Sequence, residues 1–416
     1  MDCIVRSRFV LPVSAPPIED GAVWVASGRV AKIGSWDDLA RQSAVPVVEL
    51  GSAVLLPGLV NAHCHLDYTC LAGQIPPPRS FTEWIKSIVT AKAGLGYTEY
   101  AQSWLQGARQ LLEGGVTTVA DVESAPELLP EVLEATPLRV ASFLEMTGVK
   151  SGRNPLAIVE EAVELTARLP DRGVAHGISP HALYSTTPAL LHAAAAAAER
   201  SRLRLVMHMA ESFEEFEMFS HQRGPLFDWL KNQRDMSDTG SASPLQTVSR
   251  AGLLSPRFLG VHLNYLLPDE PALLARHGAS VAHCPRSHAY FRHASFPCRE
   301  LLGAGVNVCL GTDSLVTVAK VRGHPLALDL FEEMRVLARA HPDLSAEAIL
   351  RMATVNGAAA LGCAGSFGEL REGALADMIS VPWSSEARDP YEAVIHHSGR
   401  VSSSMIGGQW VIEPGS

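Results

Sequence analysis

From Gly58 onward the chain alternates apolar stretches with longer helical segments, and this alternation constrains the fold more than any other feature. Parallel strands need crossover connections of about a dozen residues, usually helical, so the pattern predicts a parallel sheet. Eight such units in succession predict an α/β protein built on a (β/α)8 TIM barrel. The β-strand candidates cover residues 56–63, 116–122, 138–144, 174–179, 204–209, 259–264, 279–283 and 306–312.

The two ends of the chain follow a different pattern of short β-type runs separated by turn residues. The runs lie at 4–5, 22–25, 30–33, 47–48 and 54–56, and again at 378–381, 394–395, 401–402 and 408–412. We expect both ends to build one small β-sandwich domain together. Residues 1–56 and 366–416 are assigned to this composite domain, and residues 57–365 to the barrel.

Composition excludes several classes of partner. The formal net charge of −10 argues against a broad nucleic-acid surface, so we expect a small-molecule substrate. No apolar run is long enough to cross a membrane, and the N-terminus lacks the basic and apolar pattern of a secretory signal. The seven cysteines include no Cys-x-x-Cys pair, which is typical of reduced thiols and a cytoplasmic location.

The first barrel strand ends in His63-Cys64-His65. Residues two apart on a strand point to the same face, so both imidazoles can reach one metal ion. Taken alone, this pair could equally be an accident of the surface.

Three other strand candidates also end in polar residues, where barrel enzymes place their chemistry. The fifth carries His208 followed by Glu211, the sixth carries His262, and the eighth is followed by Asp313. Each has an ordinary alternative, since a histidine can be structural and an aspartate can cap a helix. Four strand ends together are hard to explain in that way.

The donor types fit a hydrolytic centre. Three imidazoles and one carboxylate suit one zinc ion, or iron, with a position left for water. Such a metal lowers the pKa of water enough to give a nucleophile near neutral pH. Glu211 is placed to move the proton of that water, and His262 to polarise the electrophile or orient the nucleophile.

With these residues the chain resembles the amidohydrolase superfamily, in the branch of cytosine, guanine and adenosine-type deaminases and triazine chlorohydrolases. The resemblance extends over essentially the whole chain. Its motifs are residues 57–65, 115–119, 311–314, 353–359 and 372–377.

The resemblance implies roles for individual residues. His63, His65, His208 and Asp313 would bind the metal, and Glu211 and His262 would be catalytic. The fourth strand offers no lysine of the kind that bridges two metals in binuclear relatives, which favours a single ion.

Two further residues are predicted to contact substrate. His181 matches a substrate-binding position of the adenosylhomocysteine and methylthioadenosine deaminases, although a polar turn at a helix start would look the same. Trp84 lies in a segment similar to the one that covers their pocket and could stack on a heterocycle. An amphipathic helix packed on the barrel would show the same residues.

The segment after the seventh strand departs from those deaminases, because His288 stands where they carry asparagine and Arg286 adds positive charge. We predict that Arg286 and His288 bind substrate, as part of a cationic wall with Arg292 and His293 for a carboxylated nucleoside such as aminodeoxyfutalosine. An internal ion pair of Arg286 is the alternative.

The leading functional prediction is release of ammonia from an aminated heterocycle, most simply an adenine nucleoside: adenosine, methylthioadenosine, adenosylhomocysteine or aminodeoxyfutalosine. A chlorohydrolase or a guanine, cytosine or triazine aminohydrolase is the alternative. A non-catalytic binding protein on this scaffold would be expected to lack some of the six residues, all of which are present here. A homo-oligomer, such as a dimer, fits the family without being indicated by any residue.

Overall fold

The structure is a computed structural model that describes residues 2–40, 45–76, 78–149, 152–320, 326–383 and 386–415. Its strands are β1 (Cys3–Val10), β2 (Ile18–Ala26), β3 (Arg29–Ser35), β4 (Val47–Glu49), β5 (Ala53–Pro57), β6 (Leu59–Cys64), β7 (Val116–Glu123), β8 (Arg139–Met146), β9 (Gly177–Pro180), β10 (Arg204–Met209), β11 (Phe258–His262), β12 (Ser280–His283), β13 (Asn307–Leu310), β14 (Met378–Pro382), β15 (Ser403–Ile406) and β16 (Gln409–Ile412).

The α-helices are α1 (Trp36–Ala40), α2 (Phe81–Lys92), α3 (Tyr97–Glu113), α4 (Leu129–Glu134), α5 (Pro155–Arg168), α6 (Pro188–Ser201), α7 (Phe213–His221), α8 (Pro225–Leu230), α9 (Pro244–Arg250), α10 (Glu270–His277), α11 (Pro285–Phe291), α12 (Cys298–Gly303), α13 (Leu330–Ala340), α14 (Ala346–Met352), α15 (Val355–Ala360) and α16 (Pro390–Ile395). None of the described helices combines the length and the apolar character needed to cross a bilayer.

The strands β6 to β13 form an eight-stranded parallel sheet in which each pairs with its neighbours in sequence. The sheet closes where the amides of Thr312 and Asp313 donate to the carbonyl of His63, at 3.0 and 3.1 Å. All eight strand predictions are confirmed, and with them the barrel.

Both ends of the chain contribute to a second, mixed sheet, as predicted. Its order is β16-β15-β14-β5-β1-β2-β3, with β4 paired to β1. The central pair of β5 and β14 joins the two ends, because Val54 and Leu55 pair with Val381 and Ser380. The exact limits of the two domains stay a prediction.

The predicted run at 401–402 directly precedes β15, which begins at Ser403, and the predicted strand at 394–395 was wrong. Val394 and Ile395 lie in α16, because Asp389 caps that helix by accepting a hydrogen bond from the amide of Glu392, and Pro390 fits the first helical position. Both residues are buried, so a helix hides the same apolar pair that suggested a strand.

The barrel strands are buried almost throughout, as expected for a parallel sheet whose outer face is covered by helices and whose inner face is packed with side chains. Small side chains such as Ala62, Ala120 and Ala141 fill the barrel interior beside Phe143 and Val206. The carboxyl ends of these packed strands therefore form a rigid platform for polar side chains.

Candidate active site

Four of the predicted residues meet at the carboxyl ends of β6, β10 and β13. We call His63, His65, His208 and Asp313 the histidine-aspartate cluster; one potential ligand atom from each lies within 4.8 Å of all the others. The Nε2 atoms of His65 and His208 are 3.1 Å apart, and Nε2 of His63 is 3.7 Å from Oδ1 of Asp313. All four side chains are buried.

Backbone contacts orient this cluster. The Nδ1 atom of His208 lies 3.0 Å from the carbonyl oxygen of His181, which can only accept, so Nδ1 carries the proton and Nε2 keeps its lone pair. Thr317 donates its hydroxyl to Oδ2 of Asp313 at 3.1 Å. A Cβ at Gly311 would lie 2.8 Å from the Cβ of His63, so only glycine allows β13 to approach β6 here.

Burial sets the protonation of the cluster. Desolvation, followed by the neighbouring His63, lowers the pKa of His65 to about 3. Desolvation and the surrounding histidines also hold the pKa of His208 well below its ordinary value. For Asp313, burial favours the neutral form, but the nearby imidazoles outweigh it and keep the pKa well below the usual range. The cluster thus presents the neutral imidazoles of His65 and His208 beside the carboxylate of Asp313.

This donor set fits a divalent metal ion. Both ring nitrogens of His63 and Nδ1 of His65 are buried without a hydrogen-bond partner among the described residues. Leaving buried polar atoms unpaired is costly, and a cation that accepts lone pairs offsets that cost. Imidazoles with one carboxylate are the ligands that zinc prefers.

Glu211 and His262 lie against the cluster, and their carboxylate and imidazole are 3.7 Å apart. Together with Asp313 they place ligand-type atoms within 4.8 Å of one another. Burial, followed by the charges of Asp313 and Glu215, raises the pKa of Glu211 well above its ordinary value. A carboxyl group that retains a proton in the absence of a cation is suited to shuttling one.

Strained backbone at the strand ends accompanies these residues. His262 and Asp313 have φ values of 75° and 53°, in the left-handed region that residues other than glycine rarely adopt. Such conformations cost of order 1–3 kcal/mol each and persist where the fold imposes them, commonly at active sites.

A cavity of about 300 Å³ opens from the cluster toward α2. Its lining residues are His65, Tyr68, Trp84, Ile85, Ile88, Val89, Lys92, Glu145, Thr147, His181, Tyr184, Ser185, His208, Glu211, Asp313 and Ser314. The cavity therefore contains both predicted substrate contacts His181 and Trp84, beside the cluster and Glu211. Its mixture of aromatic and convergent polar groups is typical of small-molecule sites.

The helix α2 covers one side of this cavity with Trp84, Ile85, Ile88, Val89 and Lys92, which we call the α2 wall. Its first turn is fixed from the barrel side. The carboxylate of Glu214 accepts hydrogen bonds from the amides of Phe81 and Thr82, both at 3.0 Å. Since Glu214 follows Glu211 by three residues, one segment carries the proposed proton shuttle and anchors the wall.

Arg286 and His288, which were predicted to bind substrate, are not among the residues that line this cavity. Arg286 lies 3.8 Å from the carboxylate of Glu333 and donates to the carbonyl of Ala327 at 2.8 Å. This is the internal ion pair that the sequence left as the alternative, so the carboxylate-binding role of Arg286 stays a prediction. His288 contacts Asn264 at 3.0 Å, and Asn264 donates to the carbonyl of Glu211 at 2.9 Å. His288 thus reaches the site through Asn264.

Sequence reasoning missed two charged residues in the cavity, Glu145 and Lys92. Glu145 follows the same signal as the others, a polar residue at the end of a barrel strand, and pairs in register with Ser179 of β9. Lys92 ends α2, and nothing in the sequence tells which side of that helix faces the barrel.

The comparison with known proteins fits this geometry. The amidohydrolase family model matches residues 54–411, which is most of the chain. The chain belongs to the amidohydrolase family.

Amidohydrolases similar to this chain include the 5-methylthioadenosine/S-adenosylhomocysteine deaminase of Syntrophobacter fumaroxidans, 30% identical over 95% of this chain and 89% of the relative. The aminodeoxyfutalosine deaminase of Deinococcus radiodurans is 29% identical over 82% of this chain and 81% of that protein. Among solved structures, an adenosine deaminase from Xanthomonas campestris with bound zinc superposes with a TM-score of 0.87 at 25% identity, covering 99% of this chain and 93% of the other.

Family membership confirms that the chain is a hydrolase acting on carbon–nitrogen bonds. The prediction of a single divalent ion, with zinc preferred, is also confirmed, since the cluster fits one ion and a similar amidohydrolase binds zinc.

Proposed function

We propose that this amidohydrolase deaminates an aminated heterocycle of the adenine nucleoside type, with release of ammonia. The observation that carries the proposal is the position of Glu211, which lines the cavity with its carboxyl beside both His262 and Asp313. The three relatives named above carry deaminase names, which supports the same reaction class.

We assign the metal to His63, His65, His208 and Asp313. A bound zinc ion supplies Lewis acidity, which makes water nucleophilic near neutral pH. Glu211 removes a proton from the attacking water, whose oxygen adds to the ring carbon that bears the amino group. Glu211 then delivers the proton to the departing nitrogen, the carbon–nitrogen bond breaks, and ammonia leaves.

His262 assists from a position beside Glu211. Desolvation lowers the pKa of His262 to about 3 although the charge of Asp313 opposes it, so its imidazole stays neutral. Its Nε2 atom is buried and has no hydrogen-bond partner among the described residues. It is therefore free to orient the attacking water or polarise the electrophile.

His181 and Trp84 hold the heterocycle. The Nδ1 atom of His181 contacts the hydroxyl of Ser185 at 2.8 Å, which fixes the ring while Nε2 remains available to substrate. Trp84 offers an aromatic face from the α2 wall, on which a flat ring can stack.

An ammonia-release screen on the zinc-loaded protein tests the proposal. The panel contains adenosine, methylthioadenosine, adenosylhomocysteine, aminodeoxyfutalosine, guanine, cytosine and aminotriazines. We expect ammonia and the matching change in ultraviolet absorbance from adenine nucleosides. Absence of ammonia from every compound, with one zinc ion bound per chain, would overturn the proposal.

The matched variants are Glu211→Gln and Glu217→Gln. Glu217 follows on α7 and pairs with Arg223 outside the cavity. Deamination is expected to fall by about 10²- to 10⁴-fold in the first variant and to persist in the second.

We also propose a cytoplasmic location and a small-molecule substrate without nucleic-acid partners. All seven cysteines are free thiols, and most are buried, which supports a reducing compartment. Assembly as a homo-oligomer such as a dimer stays a prediction.

A further inference from the structure

The cavity contains one pair of opposite charges that the proposed chemistry does not use. Glu145 is the last residue but one of β8, and Lys92 ends α2 on the facing wall. Oε1 of Glu145 and Nζ of Lys92 are 3.9 Å apart, too far for a hydrogen bond between them. Both side chains line the cavity and are mostly buried, with exposed fractions of 10% and 22%.

The carboxylate of Glu145 retains unused acceptor capacity. Its Oε2 atom is buried without a hydrogen-bond partner among the described residues. That atom lies 3.9 Å from Nε2 of His181, again beyond hydrogen-bond distance. Burial alone would raise the pKa of Glu145, but Lys92, His181 and His65 outweigh it and leave the pKa below its ordinary value. An ionised carboxylate in this position needs donors, and a bound molecule can supply them.

Lys92 is oriented by an aromatic residue of the same cavity. Its ammonium group donates to the hydroxyl of Tyr68 and lies 4.3 Å from the centre of that ring. The Tyr68 ring in turn stacks on His65 of the histidine-aspartate cluster, with centroids 5.1 Å apart. Lys92 therefore lies against a ring that itself stacks on the cluster.

The neighbouring acceptor and donor define what the pair can bind. A hydroxyl group donates to a carboxylate and accepts from an ammonium, and a vicinal diol can do both with its two oxygens. A carboxylated substituent would meet the negative Glu145, which is unfavourable in a low-dielectric cavity. A purely apolar substituent would leave both charges desolvated without partners.

The pair lies at the right place to bind the unreactive part of a substrate. Glu145 approaches His181, whose ring stacks on His208 of the cluster with centroids 4.6 Å apart. A heterocycle held by His181 thus has its reacting end toward Glu211 and its substituent toward Glu145 and Lys92. The small cavity, about 300 Å³, suits a compact molecule.

We propose that Glu145 and Lys92 form a subsite for a neutral, hydroxylated substituent, a vicinal diol such as that of a ribose. This inference rests on the proposed deaminase function and narrows it. The preferred substrates are ribonucleosides rather than free bases, and Glu145 is a specificity-determining residue.

The test compares adenosine with 2′,3′-dideoxyadenosine, which lacks only the diol. The kcat/KM of each is measured on the zinc-loaded wild type, Glu145→Gln and Lys92→Gln. Because hydrogen bonds to charged groups are the stronger class, each variant should lose about 10- to 100-fold on adenosine. The dideoxy compound should be a poor substrate for all three proteins, with values within about threefold of each other. Equal losses on both compounds in Glu145→Gln would overturn the proposal.

Glu123→Gln is the matched control, because Glu123 is a buried carboxyl at the end of the adjacent strand β7 and outside the cavity lining. It should leave the preference for adenosine over the dideoxy compound unchanged. Zinc content and circular dichroism establish that each variant folds.

Calorimetric binding of the same two nucleosides separates this subsite from the reaction. If no compound of the ammonia screen is deaminated, the proposed function fails, while weaker binding of adenosine alone in Glu145→Gln still supports the subsite. If ammonia is released only from free bases or triazines and adenosine does not bind, the subsite proposal fails and deamination stands.

Discussion

The histidine-aspartate cluster and the α2 wall meet in one cavity but are held in different ways. The cluster is carried by three barrel strands, and the amides of Thr312 and Asp313 bind it across the barrel closure. The wall belongs to a single helix. Glu214 holds the first turn of this helix, and Lys92 in its last turn contacts Tyr68.

This difference separates reaction from substrate choice. Strand ends in a closed barrel cannot move independently, so the groups that perform hydrolysis are fixed by the fold. Side chains on a helix in a connecting segment can be substituted without disturbing the barrel. We therefore expect changes in the cluster to affect every substrate alike, and changes in the wall to affect substrates differently.

The largest effect should come from removing the metal. Chelation is expected to lower kcat by more than about 10⁴-fold for every substrate, since both the activation of water and the charge stabilisation are lost. Added zinc should restore activity and raise the unfolding temperature, because an ion that binds only the folded chain stabilises it. Full activity of protein shown by elemental analysis to be metal-free would break the comparison on the cluster side.

Replacing the proton shuttle should have the next largest effect. Glu211→Gln should lower kcat by about 10²- to 10⁴-fold, the usual contribution of a general acid–base group. The loss should be the same for all substrates, with zinc content unchanged. A substrate-dependent loss would instead place Glu211 among the binding residues.

The α2 wall is tested by Trp84→Ala. Loss of a ring that stacks on the base costs about 1–3 kcal/mol, or roughly 5- to 150-fold in kcat/KM. The loss should appear mainly in KM and should differ between purine nucleosides and single-ring substrates. Trp383→Ala is the control, since Trp383 packs on Phe9 of β1 and lies outside the cavity lining. An equal fall in kcat for every substrate would contradict the separation.

The smallest effect on catalysis is expected for Arg286→Ala. Arg286 contacts Glu333, so its loss should lower the free energy of unfolding by about 1–3 kcal/mol, the cost of leaving a buried polar group unpaired. Turnover of aminodeoxyfutalosine and adenosine should fall by the same factor. A selective loss on the carboxylated nucleoside would restore the cationic wall predicted from sequence. Arg299→Ala, which removes an exposed pair with Asp343, should change neither quantity.

The same difference between strand ends and a connecting helix explains which residues could be predicted from the sequence. His63 and His65 were predictable because strand alternation and strand termini fix where a side chain points, and His208 and Asp313 follow from the same argument. The strand at 394–395 was mistaken because a buried apolar pair suits either a strand or a helix, and the cap at Asp389 decides between them.

The cavity wall was less accessible to prediction. The sequence left two interpretations of Trp84, stacking on substrate or packing of an amphipathic helix on the barrel. Only the packing of α2 shows that Trp84 lines the cavity. Glu145 carried the strand-end signal and was overlooked, while Lys92 carried none. The ion pair of Arg286 depends on Glu333 of α13, a contact between distant segments that no local pattern reveals.

The central claim is that water adds to the carbon that bears the amino group. Turnover of adenosine by the zinc-loaded protein in water enriched in heavy oxygen tests this directly, by mass spectrometry of the product and assay of ammonia. The account predicts one heavy oxygen on the ring and one ammonia for each product molecule, with both formed far more slowly by Glu211→Gln. Product without the heavy oxygen, or a product that still carries its nitrogen, would contradict it.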